Sequence, residues 1–131
     1  MATGLLIHSG KIFIQKRLAD DVWANLWEFP GGRLQQGESA AEAVQREYKE
    51  ETGFEVEIAN ELGIVRHSYT IYRVTLHSFL CRLLSKGTTP RLTAAQDYRW
   101  VNWEELSGYA FPAGHRKLME QLDKKAAFRM L

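Results

Sequence analysis

Between residues 46 and 51 the chain reads Arg-Glu-Tyr-Lys-Glu-Glu, which puts Glu47, Glu50 and Glu51 within little more than one helical turn. The flanks say that the segment is a helix. Ser39 with Glu42 three residues on forms a capping box, and Gly53 stands where a C-terminal cap glycine belongs. On a wheel of about 100° per residue, Ala40 at 0°, Val44 near 40° and Ala43 near 300° mark the apolar stripe. Glu51 falls near 20° and Glu47 near 340°, inside that stripe, and Glu50 lies at its edge near 280°. A helix made only for packing would not carry two carboxylates there, because an unpaired buried charge is costly. A divalent cation is a natural partner: Glu47 and Glu51 are i and i+4, so both side chains can converge on one ion. Oxygen-only ligands suit Mg²⁺, or Mn²⁺ in its place, rather than zinc. The competing reading is a solvated acidic face paired with Arg46 and Lys49.

These side chains need a scaffold, and the rest of the chain predicts one. Gly4 to His8 and Lys11 to Leu18 flank a Ser9-Gly10 turn and read as a hairpin. Ile12 and Ile14 share one face of its second strand; Lys11, Phe13, Gln15 and Arg17 share the other. A polar loop from Asp20 to Asn25 leads to an apolar piece, Leu26 to Phe29, and Pro30-Gly31-Gly32 is expected to break regular structure. Beyond the helix Ser39 to Thr52 come a strand near Phe54 to Ile58 and a β-rich run from Ile64 to Leu84. A polar loop from Lys86 to Gln96 precedes a short strand, Tyr98 to Val101. Trp103 to Leu106 suits a helical turn, and Ala113 to Phe128 a last helix with Leu118, Leu122 and Ala126 on one face. Strands separated by two helices give an α/β protein with a mixed sheet. On an unbroken strand His67 and His77 would face the same side; both read as strand histidines rather than ligands. Cys81 reads as core.

With 131 residues, the chain is expected to form one domain, residues 1–131. Its 45% hydrophobic and 25% charged residues are those of an ordinary globular protein. Seventeen Lys+Arg against 16 Asp+Glu leave a net charge of +1. That excludes a broad basic field and hence stable binding of long nucleic acid. One cysteine excludes an internal disulfide framework, and the reduced thiol fits a cytoplasmic location. No apolar stretch is long enough for a membrane span. Met1 to Gly10 reads as a first strand rather than a leader peptide.

The segment Gly32 to Phe54, GRLQQGESAAEAVQREYKEETGF, resembles the Nudix hydrolase signature at Gly32, Glu38, Arg46, Glu47, Glu50, Glu51 and Gly53. Tyr48 is the soft departure, where the family prefers an aliphatic residue; it should affect packing. The pair Lys16-Arg17 and the stretch Leu26-Trp27-Glu28-Phe29-Pro30-Gly31-Gly32 are similar to the MutT branch. His67-Ser68-Tyr69-Thr70 is similar to the related C-terminal domain of adenine DNA glycosylases.

The resemblance implies a Nudix fold, an α/β/α sandwich with a mixed central sheet. It implies hydrolysis of nucleoside diphosphates linked to another group, with Mg²⁺ as cofactor, Glu47 and Glu51 as the main ligands and Glu50 assisting. The backbone carbonyl of Gly31 or Gly32 would complete the shell, and Glu47 is the favoured base. Arg46 is expected to hold Glu47 or Glu38 through a bidentate pair. Arg17 matches a position that meets phosphate, and Glu28 and Phe29 match positions that line the nucleoside pocket. Trp23 and Trp27 suit either base stacking or core packing.

Two departures bear on chemistry and selectivity. A glutamate that MutT-like enzymes often place six residues before the tryptophan matched by Trp100 is replaced by Ala94; Gln96 and Asp97 are the nearest polar candidates. The purine-reading asparagine matches His115, and an imidazole cannot offer an amide's donor and acceptor on one face. The expectation is a nucleoside triphosphate pyrophosphohydrolase giving monophosphate and pyrophosphate. It would be MutT-like, with 8-oxo-dGTP as candidate substrate but only modest selectivity. The partner is then a small nucleotide, with the protein a monomer or homodimer. The rival readings are a pyrophosphohydrolase of RNA 5′ ends or dinucleoside polyphosphates, and a noncatalytic nucleotide-recognition module.

Overall fold

The computed structural model describes residues 1–21 and 23–125. The seven strands are β1 (Ala2–His8), β2 (Lys11–Arg17), β3 (Trp27–Glu28), β4 (Gly31–Gly32), β5 (Val56–Ser68), β6 (Arg73–Leu83) and β7 (Ala95–Val101). Two helices, α1 (Ala40–Thr52) and α2 (Ala113–Lys125), and a 3₁₀ turn (Trp103–Gly108) complete the described elements. One path through the sheet runs β3-β2-β1-β6-β5, with β4 added to β1 and β7 added to β2. β1 and β6 are parallel, and the other pairs are antiparallel. The sheet is therefore mixed, as expected.

Both faces of the sheet are covered. On one, Leu6 and Phe13 pack with Val44 and Tyr48 of α1. On the other, Leu5, Ile12 and Ile14 pack with Leu118 and Leu122 of α2. The alternation of β2 thus distributes its residues between two cores rather than between core and solvent. Each fully buried side chain of this size stabilises by about 1.5–3 kcal/mol. Ala126 and the stretch to Phe128, expected on α2, lie outside the described residues.

Four boundaries differ from the sequence expectation. Gly31-Gly32 does not only break structure; the pair bridges to β1, Gly31 opposite Thr3 and Gly32 opposite Ala2. The interruption expected between Ile58 and Ile64 is instead a pair of register shifts, Ile58/Asn60 and Glu61/Gly63, inside one long strand, β5. The chain reverses later, where Tyr69 N–H donates to the Tyr72 carbonyl at 2.7 Å. That turn, Tyr69-Thr70-Ile71-Tyr72, contains no Gly, Pro, Asn or Asp, so composition did not mark it. As a result His67 and His77 lie on adjacent strands, opposite Val74 and Ile64, and not on one continuous face. β7 begins at Ala95, three residues before the expected start.

Candidate active site

α1 forms as its ends dictate. The Ser39 side chain accepts from Glu42 N–H at 3.1 Å, the Glu42 side chain accepts from Ser39 N–H at 3.0 Å, and Gly53 closes the helix in the left-handed conformation. The loop before β7 docks on the far end of the helix. Arg91 and Thr93 N–H donate to the carbonyls of Thr52 and Glu51, and the Thr93 hydroxyl donates to that of Glu50. Carbonyls that end a helix without partners are satisfied this way. Tyr48 fits because Gly4 faces it: a Cβ on Gly4 would sit 2.7 Å from Val44 Cγ1 and 3.1 Å from the Tyr48 ring. The Tyr48 hydroxyl donates to the Gly4 carbonyl, so the unusual aromatic is paired as well as packed.

With the helix pinned, its acidic face meets the chain between β3 and β4. The Thr3 hydroxyl bonds to the Phe29 and Pro30 carbonyls at 3.1 and 2.9 Å, and Gly4 N–H donates to that of Pro30. Glu51 is 8% exposed. Its Oε2 accepts from Gly31 N–H at 3.2 Å, and its Oε1 from the Gln15 amide at 3.1 Å. Glu47 reaches the same place, within hydrogen-bonding reach of Glu51. Its carboxylate lies against Gly32, where a Cβ would come within 2.8 Å of Oε1. At Gly31 the obstacle is backbone: a Cβ would lie 2.2 Å from the Ala2 carbonyl oxygen.

Arg46 braces this group from outside. Its Nε and one terminal nitrogen grip both oxygens of Glu38 at 2.7 and 3.0 Å. The other terminal nitrogen reaches Glu47 at 2.9 Å and Glu50 at 3.2 Å. The bidentate partner is therefore Glu38, while Glu47 is held by a single bond. Glu50 is exposed and drawn toward Arg46. The bond from Arg46 holds the Glu38 carboxyl below the usual range and raises the guanidinium further.

A cleft opens beside these carboxylates, lined by Arg17, Glu28, Phe29, Gly32, Tyr69 and His115 among others. Arg17 is tied to Glu28 and to Asp21. His115 enters from the first turn of α2. Its ring stacks on Phe29 with centroids 5.5 Å apart and planes 12° apart, and Nδ1 accepts from Phe29 N–H at 3.4 Å. It is not the surface residue that a helix start would suggest. Burial, aided by the positive charge of Arg17, pushes its pKa down to about 4, so the ring is neutral near pH 7. With Nδ1 an acceptor, the proton resides on Nε2. Trp23 lines the same cleft and packs on Tyr69 at 4.9 Å. Trp27 instead packs on Tyr109 at 4.9 Å, with Arg99 over its ring.

The structure brings together Arg17, Glu28, Phe29, Gly31, Gly32, Glu47, Glu51 and His115, and leaves two candidates elsewhere. Gln96 is spent on the Arg17 carbonyl and Asn25, and Asp97 on Arg99 and Tyr98 N–H. Neither bonds to the carboxylate group in place of the residue absent at Ala94.

Sequence reasoning passed over Gln15. It is completely buried, and its amide nitrogen donates to Glu28 at 3.0 Å as well as to Glu51. Its Oε1 has no partner among the described residues. An orphaned buried acceptor costs about 1–3 kcal/mol. No local signal marked it: Gln15 shares a strand face with Lys11, Phe13 and Arg17 and reads as one more polar position on that face.

The electrostatics follow from this crowding. Burial raises the Glu51 carboxyl well above the usual range, and the nearby Glu28 and Glu47 raise it further. Burial also raises Glu28, against the pull of Gln15 and Arg17. Among the described residues, no three His, Cys, Asp or Glu side chains already surround one point. The donor set is all oxygen, and the crowding of Glu51 by Glu28 and Glu47 is what a hard divalent cation would relieve.

Residues 2–121 match the NUDIX domain family. The chain is 26% identical over 131 residues to an 8-oxo-dGTP diphosphatase of Buchnera aphidicola subsp. Schizaphis graminum, covering 96% of this chain and 94% of that one. It is 29% identical over 120 residues to a CTP pyrophosphohydrolase of Escherichia coli K12, covering 92% and 87%. Among solved structures, a MutT protein from Methanosarcina mazei Go1 superposes with a TM-score of 0.80 at 25% identity, covering 95% and 92%.

Proposed function

The chain belongs to the Nudix hydrolase family, and from that premise we propose that it cleaves nucleoside triphosphates into a monophosphate and pyrophosphate with Mg²⁺. The observation that carries this reading is the paired carboxylates of Glu47 and Glu51, turned inward beside a cleft that Glu28, Phe29 and His115 line. Mn²⁺ could substitute for Mg²⁺, since both accept oxygen ligands. Glu47 and Glu51 would hold the ion, with Glu50 assisting and the Gly31 or Gly32 carbonyl completing the donors. When bound, the ion neutralises phosphate charge and lowers the barrier to attack by water.

The chain's own residues supply the rest. Glu47 takes the proton of the attacking water as the new P–O bond forms and the bridging P–O bond breaks, with pyrophosphate as leaving group. Arg46 keeps the Glu47 carboxylate aimed while Glu38 keeps Arg46 in place. Arg17, on the cleft wall, offers positive charge to a phosphate. His115, backed by the buried ring of Phe29, offers Nε2–H as a donor to the base. A single donor discriminates less than an amide's donor and acceptor together, so the reading is MutT-like with modest base selectivity and a cytoplasmic place. A panel of 8-oxo-dGTP, dGTP, CTP and a dinucleoside tetraphosphate, ranked by kcat/KM, tests it. The proposal expects several triphosphates to be cleaved, with 8-oxo-dGTP favoured less than about 10³-fold over dGTP. Replacing an amide's two hydrogen bonds to the base by one from His115 forfeits roughly 1–3 kcal/mol, or about 5- to 150-fold. Exclusive turnover of the dinucleotide would reject it.

A further inference from the structure

We propose that Gln15 is a positioning residue of the metal site, fixing the Glu51 carboxylate through its amide; this rests on Glu51 being a metal ligand. The two N–H bonds of one amide nitrogen are divided between Glu51 at 3.1 Å and Glu28 at 3.0 Å. Gly31 N–H holds the other oxygen of Glu51. Both Glu51 oxygens are thereby held by donors, one from β2 and one from β4, and each has a second lone pair. The same amide links Glu28, on the cleft wall, to the helix that carries Glu47 and Glu51.

The unpartnered Oε1 argues against mere packing. A residue selected only to fill this space would be apolar, as Ile12, Phe13 and Ile14 are on the same strand. Gln15 leaves one buried acceptor unsatisfied and in return directs both of its donors at carboxylates. Groups that orient a ligand in this way typically alter metal affinity by about 10- to 100-fold when removed.

Mn²⁺ alone, titrated against the full chain and followed by the paramagnetic resonance of the free ion, gives the test without turnover. Gln15→Met keeps the length and removes both donors. It should weaken Mn²⁺ binding by about 10-fold, and by no less than about threefold. If Gln15 acts through Glu51, Gln15→Met in a Glu51→Gln background should cause no further loss. A change under threefold in the single variant, or additive losses in the double variant, would overturn the proposal. Should Gln15→Met fail to fold, Gln15→Asn retracts the same amide by one methylene and carries the same comparison. Wild-type Mn²⁺ binding in Glu51→Gln alone would overturn the metal site itself. Loss in Glu51→Gln with none in Gln15→Met would overturn only the role of Gln15.

Discussion

His115 should make the fold acid-sensitive in a way that one substitution removes. Its pKa is about 6.5 when exposed and about 4 in the folded chain, where burial and Arg17 disfavour the cation. The neutral form is favoured by folding, so this stability is complete above pH 6.5 and is lost as the pH falls toward 4. The full gap corresponds to roughly 3 kcal/mol, of which about 1 kcal/mol should be gone by pH 5.5 and most of the rest by pH 4.5. Glu28 and Glu51 titrate with the opposite sign, because their folded pKa values are raised. The informative quantity is therefore wild type minus His115→Phe, which keeps a ring against Phe29 and carries no proton. Urea unfolding at pH 7.5, 5.5 and 4.5 provides it. The variant starts lower at pH 7.5, having no acceptor for Phe29 N–H, and wild type should lose about 2–3 kcal/mol relative to it on going to pH 4.5. A difference constant to within about 0.5 kcal/mol across that range would refute the enclosed, neutral ring.

The two adjacent glycines should fail differently. Gly32→Ala forces the Glu47 carboxylate aside and should abolish most turnover in a folded protein, whereas Gly31→Ala meets the Ala2 backbone and should lower thermal stability; circular dichroism melts with activity assays separate them. Arg46→Lys keeps a charge but loses the fork that grips Glu38, and should cut kcat by about 10-fold with the melting temperature little changed. The Cys81 thiol, buried and pushed up to about 12, should resist a thiol-specific disulfide reagent at pH 8 until denaturant is added.

The helix α1 was legible because its caps are local. Ser39, Glu42 and Gly53 lie within the segment they terminate, and the inward position of Glu51 follows from helical period alone. The β5–β6 turn was not legible, because tertiary pairing across the sheet overrides a turn sequence without turn formers. The same holds for the β4 bridge, which depends on β1 lying alongside. Of the motif residues, Gly32, Glu47 and Glu51 meet beside the cleft while Glu50 stays exposed against Arg46, and Gln15 did not advertise itself. Its role exists only where β2, β3 and α1 converge, and no local pattern encodes that meeting. His115 shows the intermediate case. Its place in the cleft was expected from resemblance, whereas its neutral state follows from enclosure by Phe29 and the charge of Arg17.

The central claim is that the inward carboxylates of α1 support cleavage between phosphates with a divalent ion. Phosphorus NMR of CTP or dGTP incubated with the protein and Mg²⁺ tests it most directly, run beside Glu51→Gln and a chelator control. The account predicts nucleoside monophosphate and pyrophosphate in equal amounts from wild type. It predicts no turnover with chelator, and none from a Glu51→Gln variant whose fold is intact. Release of orthophosphate and nucleoside diphosphate, or undiminished turnover in the chelator or the Glu51→Gln variant, would contradict it.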